Sequence, residues 1–85
     1  MHRTLEQVKR DIDTKMKTTT NEVFKKILKD TRYAMMSKSR DLVYQEIGAY
    51  QMAHHLDAIT RDEADFMRQV LIYDGLNNNA LIPLE

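Results

Sequence analysis

The chain contains no cysteine and no tryptophan, and only one proline and two glycines among its 85 residues. Without cysteine there is no disulfide, no thiolate metal site and no thiol nucleophile, a pattern that fits an intracellular protein. With so little glycine and proline, few positions are suited to tight turns or to stopping a helix. The abundance of Lys, Glu, Gln, Met, Leu and Ala favours helix over strand. The strongest hairpin signal is missing as well: no Asn-Gly separates alternating segments, and the single Asp-Gly pair, Asp74-Gly75, ends a helical pattern. Apolar runs extend only a few residues, far below the roughly 20 that span a bilayer. The opening Met1-His2-Arg3-Thr4-Leu5-Glu6 has no apolar stretch of the kind a signal peptide carries. A soluble, cytoplasmic protein with no membrane partner is therefore expected. An apolar share of 42% is too high for a disordered chain, which leaves one small domain.

Charge is cancelled rather than absent. The thirteen basic and thirteen acidic side chains sum to zero, but they are not mixed. Residues 1–40 hold eleven Lys/Arg against five Asp/Glu, and residues 41–85 hold two against eight. The chain is a dipole along its own sequence, and a hairpin or an antiparallel dimer would bring the two poles together.

Periodicity places the helices. Thr4-Leu5-Glu6-Gln7 has the form of a capping box, and Leu5, Val8, Ile12 and Met16 continue from it as one apolar stripe, predicting a first helix over about 4–17. Thr18-Thr19-Thr20-Asn21 interrupts it, and Thr19 with Glu22 offers a second capping box. Val23, Phe24, Ile27, Leu28, Thr31, Ala34 and Met35 share the next apolar face. Ser37-Lys38-Ser39 could break the helix, with serine capping a new one. Against a break, Leu28, Met35, Leu42, Ala49 and Leu56 recur every seventh residue, favouring one long helix, straight or kinked, over about 20–58. At 1.5 Å per residue that rod would measure roughly 58 Å, too long for an isolated chain this small, so dimerisation is expected. Gly48, Ala49 and Ala53 lack side-chain bulk, which predicts a close helix crossing. Thr60 and Glu63 form a third capping box, opening a last helix that buries Met67, Val70 and Leu71. Gly75 fits the left-handed C′ position of a Schellman motif, with Leu76 folding back on Leu71. The expected fold is all-α: three to four helices forming an αα-hairpin or small bundle over residues 1–76. Residues 77–85 form a tail whose Leu81, Ile82 and Leu84 could dock on a surface.

Few residues are arranged for chemistry. His54 and His55 point about 100° apart on a helix and lack an ExxH or HExxH partner spacing, so no metal site is expected. Asp57, Asp62, Glu63 and Asp65 cluster at the last turn, where helix capping and dipole compensation account for them. There is no phosphate-binding glycine loop, EF-hand pattern or nucleophile elbow, and no cofactor or catalytic activity is expected. The candidate sites are therefore binding surfaces. The face around Leu42, Ala49, Ala53 and Leu56 is expected to mediate homo-oligomerisation. Lys25, Lys29 and Arg32, at helical spacing within the basic stretch 25–40, are the alternative, as contacts for nucleic acid or an acidic partner.

One stretch carries a resemblance. Ala58-Ile59-Thr60-Arg61-Asp62-Glu63-Ala64-Asp65-Phe66, closing on Asp74-Gly75-Leu76-Asn77-Asn78, is similar to short helical accessory proteins of bacteriophages and integrative mobile elements. Those often pair a long helix with a final helix opened by an Ile-Thr-x-x-Glu pattern. The resemblance covers about residues 45–78, and its motif consists mostly of capping residues. It implies a mobile-element origin and a regulatory role exercised on another protein, and it transfers no catalytic residue.

Overall fold

A computed structural model describes residues 3–77, and its elements are all helical. Helix α1 spans Leu5–Thr18, α2 Glu22–Met36, α3 Arg40–His55 and α4 Arg61–Arg68. The last helix runs directly into a π-helical segment, Gln69–Leu76. The expected tail lies almost entirely outside the described residues.

Two of the three capping boxes form as the sequence predicts. The Thr4 hydroxyl accepts from the Gln7 amide at 3.2 Å, and the Gln7 side chain accepts from the Thr4 amide at 2.9 Å. Thr60 and Glu63 exchange the corresponding bonds at 3.1 and 2.8 Å. The middle box does not form. Asn21, not Thr19, caps α2, its Oδ1 accepting from the amides of Val23 and Phe24 at 3.0 and 3.2 Å. Its Nδ2 donates to the Ala58 carbonyl at 2.9 Å and to Glu63 Oε1 at 3.2 Å. One side chain thus starts α2 and ties it to the turn before α4.

The continuous helix over 20–58 is replaced by a hairpin. Lys38 takes a left-handed φ of 54°. The Lys38 amide donates to Met35 O and the Ser39 amide to Ala34 O, the paired bonds of a Schellman motif. Ser39 then caps α3, accepting from the Leu42 amide at 3.3 Å. The sevenfold apolar recurrence survives the break because it records which faces are buried, not whether the backbone passes straight through. Folding back leaves a body of 33 × 24 × 21 Å in place of the rod. Helix α3 ends the same way, with Asp57 at φ 59° and the Ala58 amide donating to Ala53 O at 2.8 Å.

Gly75 has a role other than the one expected, and Gly48 makes no close crossing within the chain. Gly75 has no positive φ and caps no Schellman motif; it is buried inside the π-helical segment. A Cβ there would lie 2.8 Å from Met35 Cε, the end of a flexible side chain, and 3.1 Å from the Val70 carbonyl oxygen, so a larger residue would need both to shift. Gly48 sits at no crossing within the chain: it is exposed, and an added Cβ would meet nothing within 4 Å.

The core joins Val8 and Ile12 of α1, Phe24, Leu28 and Met35 of α2, Val43 of α3, and Met67, Val70 and Leu71 beyond the last turn. Phe24 meets Phe66 edge to face, with ring centroids 6.2 Å apart, and Lys15 Nζ lies 5.2 Å over the Phe66 ring. Thr31 is fully buried, and its hydroxyl has no hydrogen-bond partner. Asp74, 2% exposed, is the buried acid. Its carboxylate accepts from Arg3 Nη2 at 2.7 Å, from Arg3 Nε at 3.0 Å and from Gln69 Nε2 at 3.3 Å. Arg3 also pairs with Asp11.

Candidate interaction site

Helices α2 and α3 pack on α1, α4 and the π segment with one side and leave the opposite side of their hairpin open. A phase difference in the sequence produces this opening. On α2, Phe24, Leu28 and Met35 turn into the core. Val23, one residue before Phe24, is rotated about 100° from it and remains 44% exposed. On α3, Val43 and Tyr50 turn inward, leaving Met52 58% and Leu56 66% exposed. Val23, Ile27, Ala49, Met52, Ala53 and Leu56 line a groove of about 530 Å³ between the two helices, with Glu22 and Lys26 at its rim. Its lining is almost wholly apolar.

Beside the groove stands an acid in a costly position. Glu46 is half-buried between α3 and α2, and its Oε1 has no hydrogen-bond partner. Burial pushes its carboxyl above the usual carboxylate range, the nearby Asp30 charge raises it further, and Lys26 opposes the shift. Lys26 Nζ is already engaged with Asp30 at 3.1 Å.

The residues expected to mediate self-association divide between groove and core. Ala49, Ala53 and Leu56 all line the groove, whereas Leu42 packs against the core instead. Val23, Ile27 and Met52 complete the groove and were not singled out. Val23, expected on the apolar face of α2, instead lies at the solvent edge of that face, about 100° from Phe24.

The basic stripe occupies the other flank of α2. Lys29 and Arg32 border a cleft of about 510 Å³ facing α1, with Asp13, Met16, Tyr33 and Met36. Arg32 Nε donates to Asp13 at 2.8 Å, and Lys25 Nζ lies 3.5 Å from Glu22. Two of the three cations thus have carboxylate partners within the chain, and Lys29 is exposed. His54 lies beside Asp57 and Arg61 in a small cleft at the α3–α4 turn, without His55. Among the described residues, no three His, Asp or Glu side chains converge as a metal cage would require, and no helix is long and apolar enough to cross a membrane.

The fold and this groove define the described residues as a small all-α bundle with an open apolar face on the α2–α3 hairpin. No family model matches it, and neither the curated proteins nor the solved structures contain a match.

Proposed function

We propose that this chain is a non-catalytic binding protein that acts through the open α2–α3 face. It works as a homo-oligomer in the cytoplasm and regulates or assists another protein. The observation that carries the reading is the groove: Val23, Met52 and Leu56 expose apolar surface side by side over a floor of Ile27, Ala49 and Ala53. Large apolar side chains gathered in one depression, rather than scattered singly, mark surfaces that associate. A bacteriophage or mobile-element origin, implied by the resemblance of residues 45–78, fits an accessory role of this kind.

Ala49→Lys tests the reading, because it places a charge in the groove without entering the core. The variant is expected to keep its helical content while its mass by sedimentation equilibrium falls and it captures less partner protein from nuclease-treated lysate. Unchanged mass and unchanged capture would sink this surface.

Nucleic-acid binding through Lys25, Lys29 and Arg32 is the lesser reading, since Lys25 and Arg32 already have carboxylate partners. It requires binding that weakens steeply with salt and is lost on charge reversal at Lys29.

A further inference from the structure

We propose that the cleft between α3 and α4 binds a small organic acid carrying one carboxylate, held by Arg61, Arg68 and the Tyr50 hydroxyl. The site lies on the flank of α3 opposite the open α2–α3 face, and neither reading depends on the other.

Helical spacing builds the cleft. On α4, Arg61, Asp65 and Arg68 follow at i, i+4 and i+7 and share a face. On α3, Tyr50 and His54 stand at i and i+4, with Gln51 beside them. These six residues line a space of about 350 Å³. That is the small end of the range for ligand clefts, so it takes a small molecule.

The cleft gathers donors that the chain itself leaves unused. Tyr50 is 5% exposed, and its hydroxyl makes no hydrogen bond with the described residues. Buried tyrosines normally satisfy that group, and the cleft Tyr50 lines is where a partner would enter. Arg61 is the second such donor. Asp57, Asp62, Glu63 and Asp65 all lie within four residues of it, yet it forms no ion pair or side-chain hydrogen bond with the described residues. It also occupies the first turn of α4, where a cation opposes the helix dipole. Neither capping nor pairing therefore accounts for it. Arg68 has a carboxylate, Asp65, only at 4.0 Å. Arg61 and Arg68 are the two Lys/Arg residues of 41–85, and both line this cleft.

Charge selects the ligand. With His54 neutral, two guanidiniums against the one carboxylate of Asp65 leave a single net positive charge in the lining. A carboxylate matches that charge, and its two oxygens fit a guanidinium fork. A dianionic phosphate would exceed it and would face Asp57, Asp62 and Glu63 at the same turn. Gln51 and His54 offer neutral hydrogen-bonding groups to the rest of the molecule.

Titration of the ¹⁵N-labelled full chain with sodium benzoate at neutral pH tests the site. Benzoate is expected to bind saturably and to shift the resonances of the six lining residues. Benzamide has the same shape without the charge; it and inorganic phosphate should each bind about tenfold more weakly or worse. Arg61→Gln and Arg68→Gln should each weaken benzoate about tenfold, and Tyr50→Phe about threefold or more. All three variants should keep a urea midpoint at or above that of the wild type, because the groups removed have no close partner in the free chain. Side chains that only supported the fold would give the reverse, a lower midpoint with benzoate binding unchanged. Shifts that stay linear to the highest benzoate concentration, or that survive both arginine substitutions, would overturn the site. Phosphate binding as tight as benzoate would overturn the carboxylate assignment.

Discussion

Glu46 shows how one residue can cost stability and still mark a surface. Its carboxylate is partly withdrawn from water between α2 and α3, one oxygen has no donor, and Asp30 adds a second negative charge nearby. These are the conditions under which a carboxyl holds its proton more tightly in the folded chain than in the unfolded one. The sign of the pH dependence follows from that. Between the ordinary carboxylate range and the raised folded value, the native state binds more protons than the unfolded state. Stability contributed at this site is therefore present at acid pH and is lost as pH rises through the folded value. Glu46→Gln removes the ionisation and keeps the shape. It is expected to raise the urea midpoint at neutral pH and to change it little near pH 4, below the raised value. An equal shift at both pH values would mean that the charge is not the cause. Thr31 carries a similar cost without charge, a fully buried hydroxyl with no partner. Residue-level signals of this kind are hard to read in a sequence, because a helical pattern shows which face a side chain shares but not which donors reach it.

At the scale of elements, two helices end on residues poorly suited to the task. Lys38 and Asp57 occupy left-handed C′ positions, where glycine is the usual residue. A non-glycine side chain there costs on the order of 1 kcal/mol. Lys38→Gly is expected to stabilise the fold by about 0.5–1 kcal/mol, since the residue is exposed and its side chain makes no hydrogen bond or ion pair with the described residues. Chemical denaturation measures this, and a destabilised variant would mean that the lysine side chain holds the turn by some other contact. The same positions explain what the sequence could and could not disclose. The boxes at Thr4 and Thr60 were legible because every partner lies within three residues. The cap at Asn21 was not, because its side chain is fixed by Ala58 and Glu63, which only the fold brings near. The sevenfold recurrence of Leu28, Met35, Leu42, Ala49 and Leu56 outweighed the serines at the hairpin turn, and Lys38 at its left-handed position carries no glycine signal, while the late glycine, Gly75, sits against Met35. Three of the four expected self-association residues line the groove because helical phase alone places them. Leu42 falls at the other end of α3, where the same phase runs into the core.

For the whole molecule, the opposed charges of the two halves are settled mostly within each half. Lys25 pairs with Glu22, Lys26 with Asp30, Arg32 with Asp13 and Arg68 with Asp65, each inside its own half of the chain. Among the described residues, the ion pair of Arg3 with Asp74 joins the basic half to the acidic half. That pair also fastens the start of the chain to the π-helical segment, across 71 positions of sequence. Asp74 is almost fully buried, whereas the Arg3 side chain keeps 31% of its surface in water. Losing the arginine would strand a buried carboxylate with only Gln69 and a backbone amide as donors. Removing one member of a buried pair costs about 3–5 kcal/mol, and partial exposure of Arg3 puts the expectation at the lower end, about 3 kcal/mol for Arg3→Met. Arg3→Met combined with Asp74→Asn should recover much of that loss, because the stranded charge is gone. Urea denaturation of both variants decides the point. If the double variant is no more stable than Arg3→Met alone, the arginine acts through packing, and the link between the charge poles contributes nothing as an ion pair.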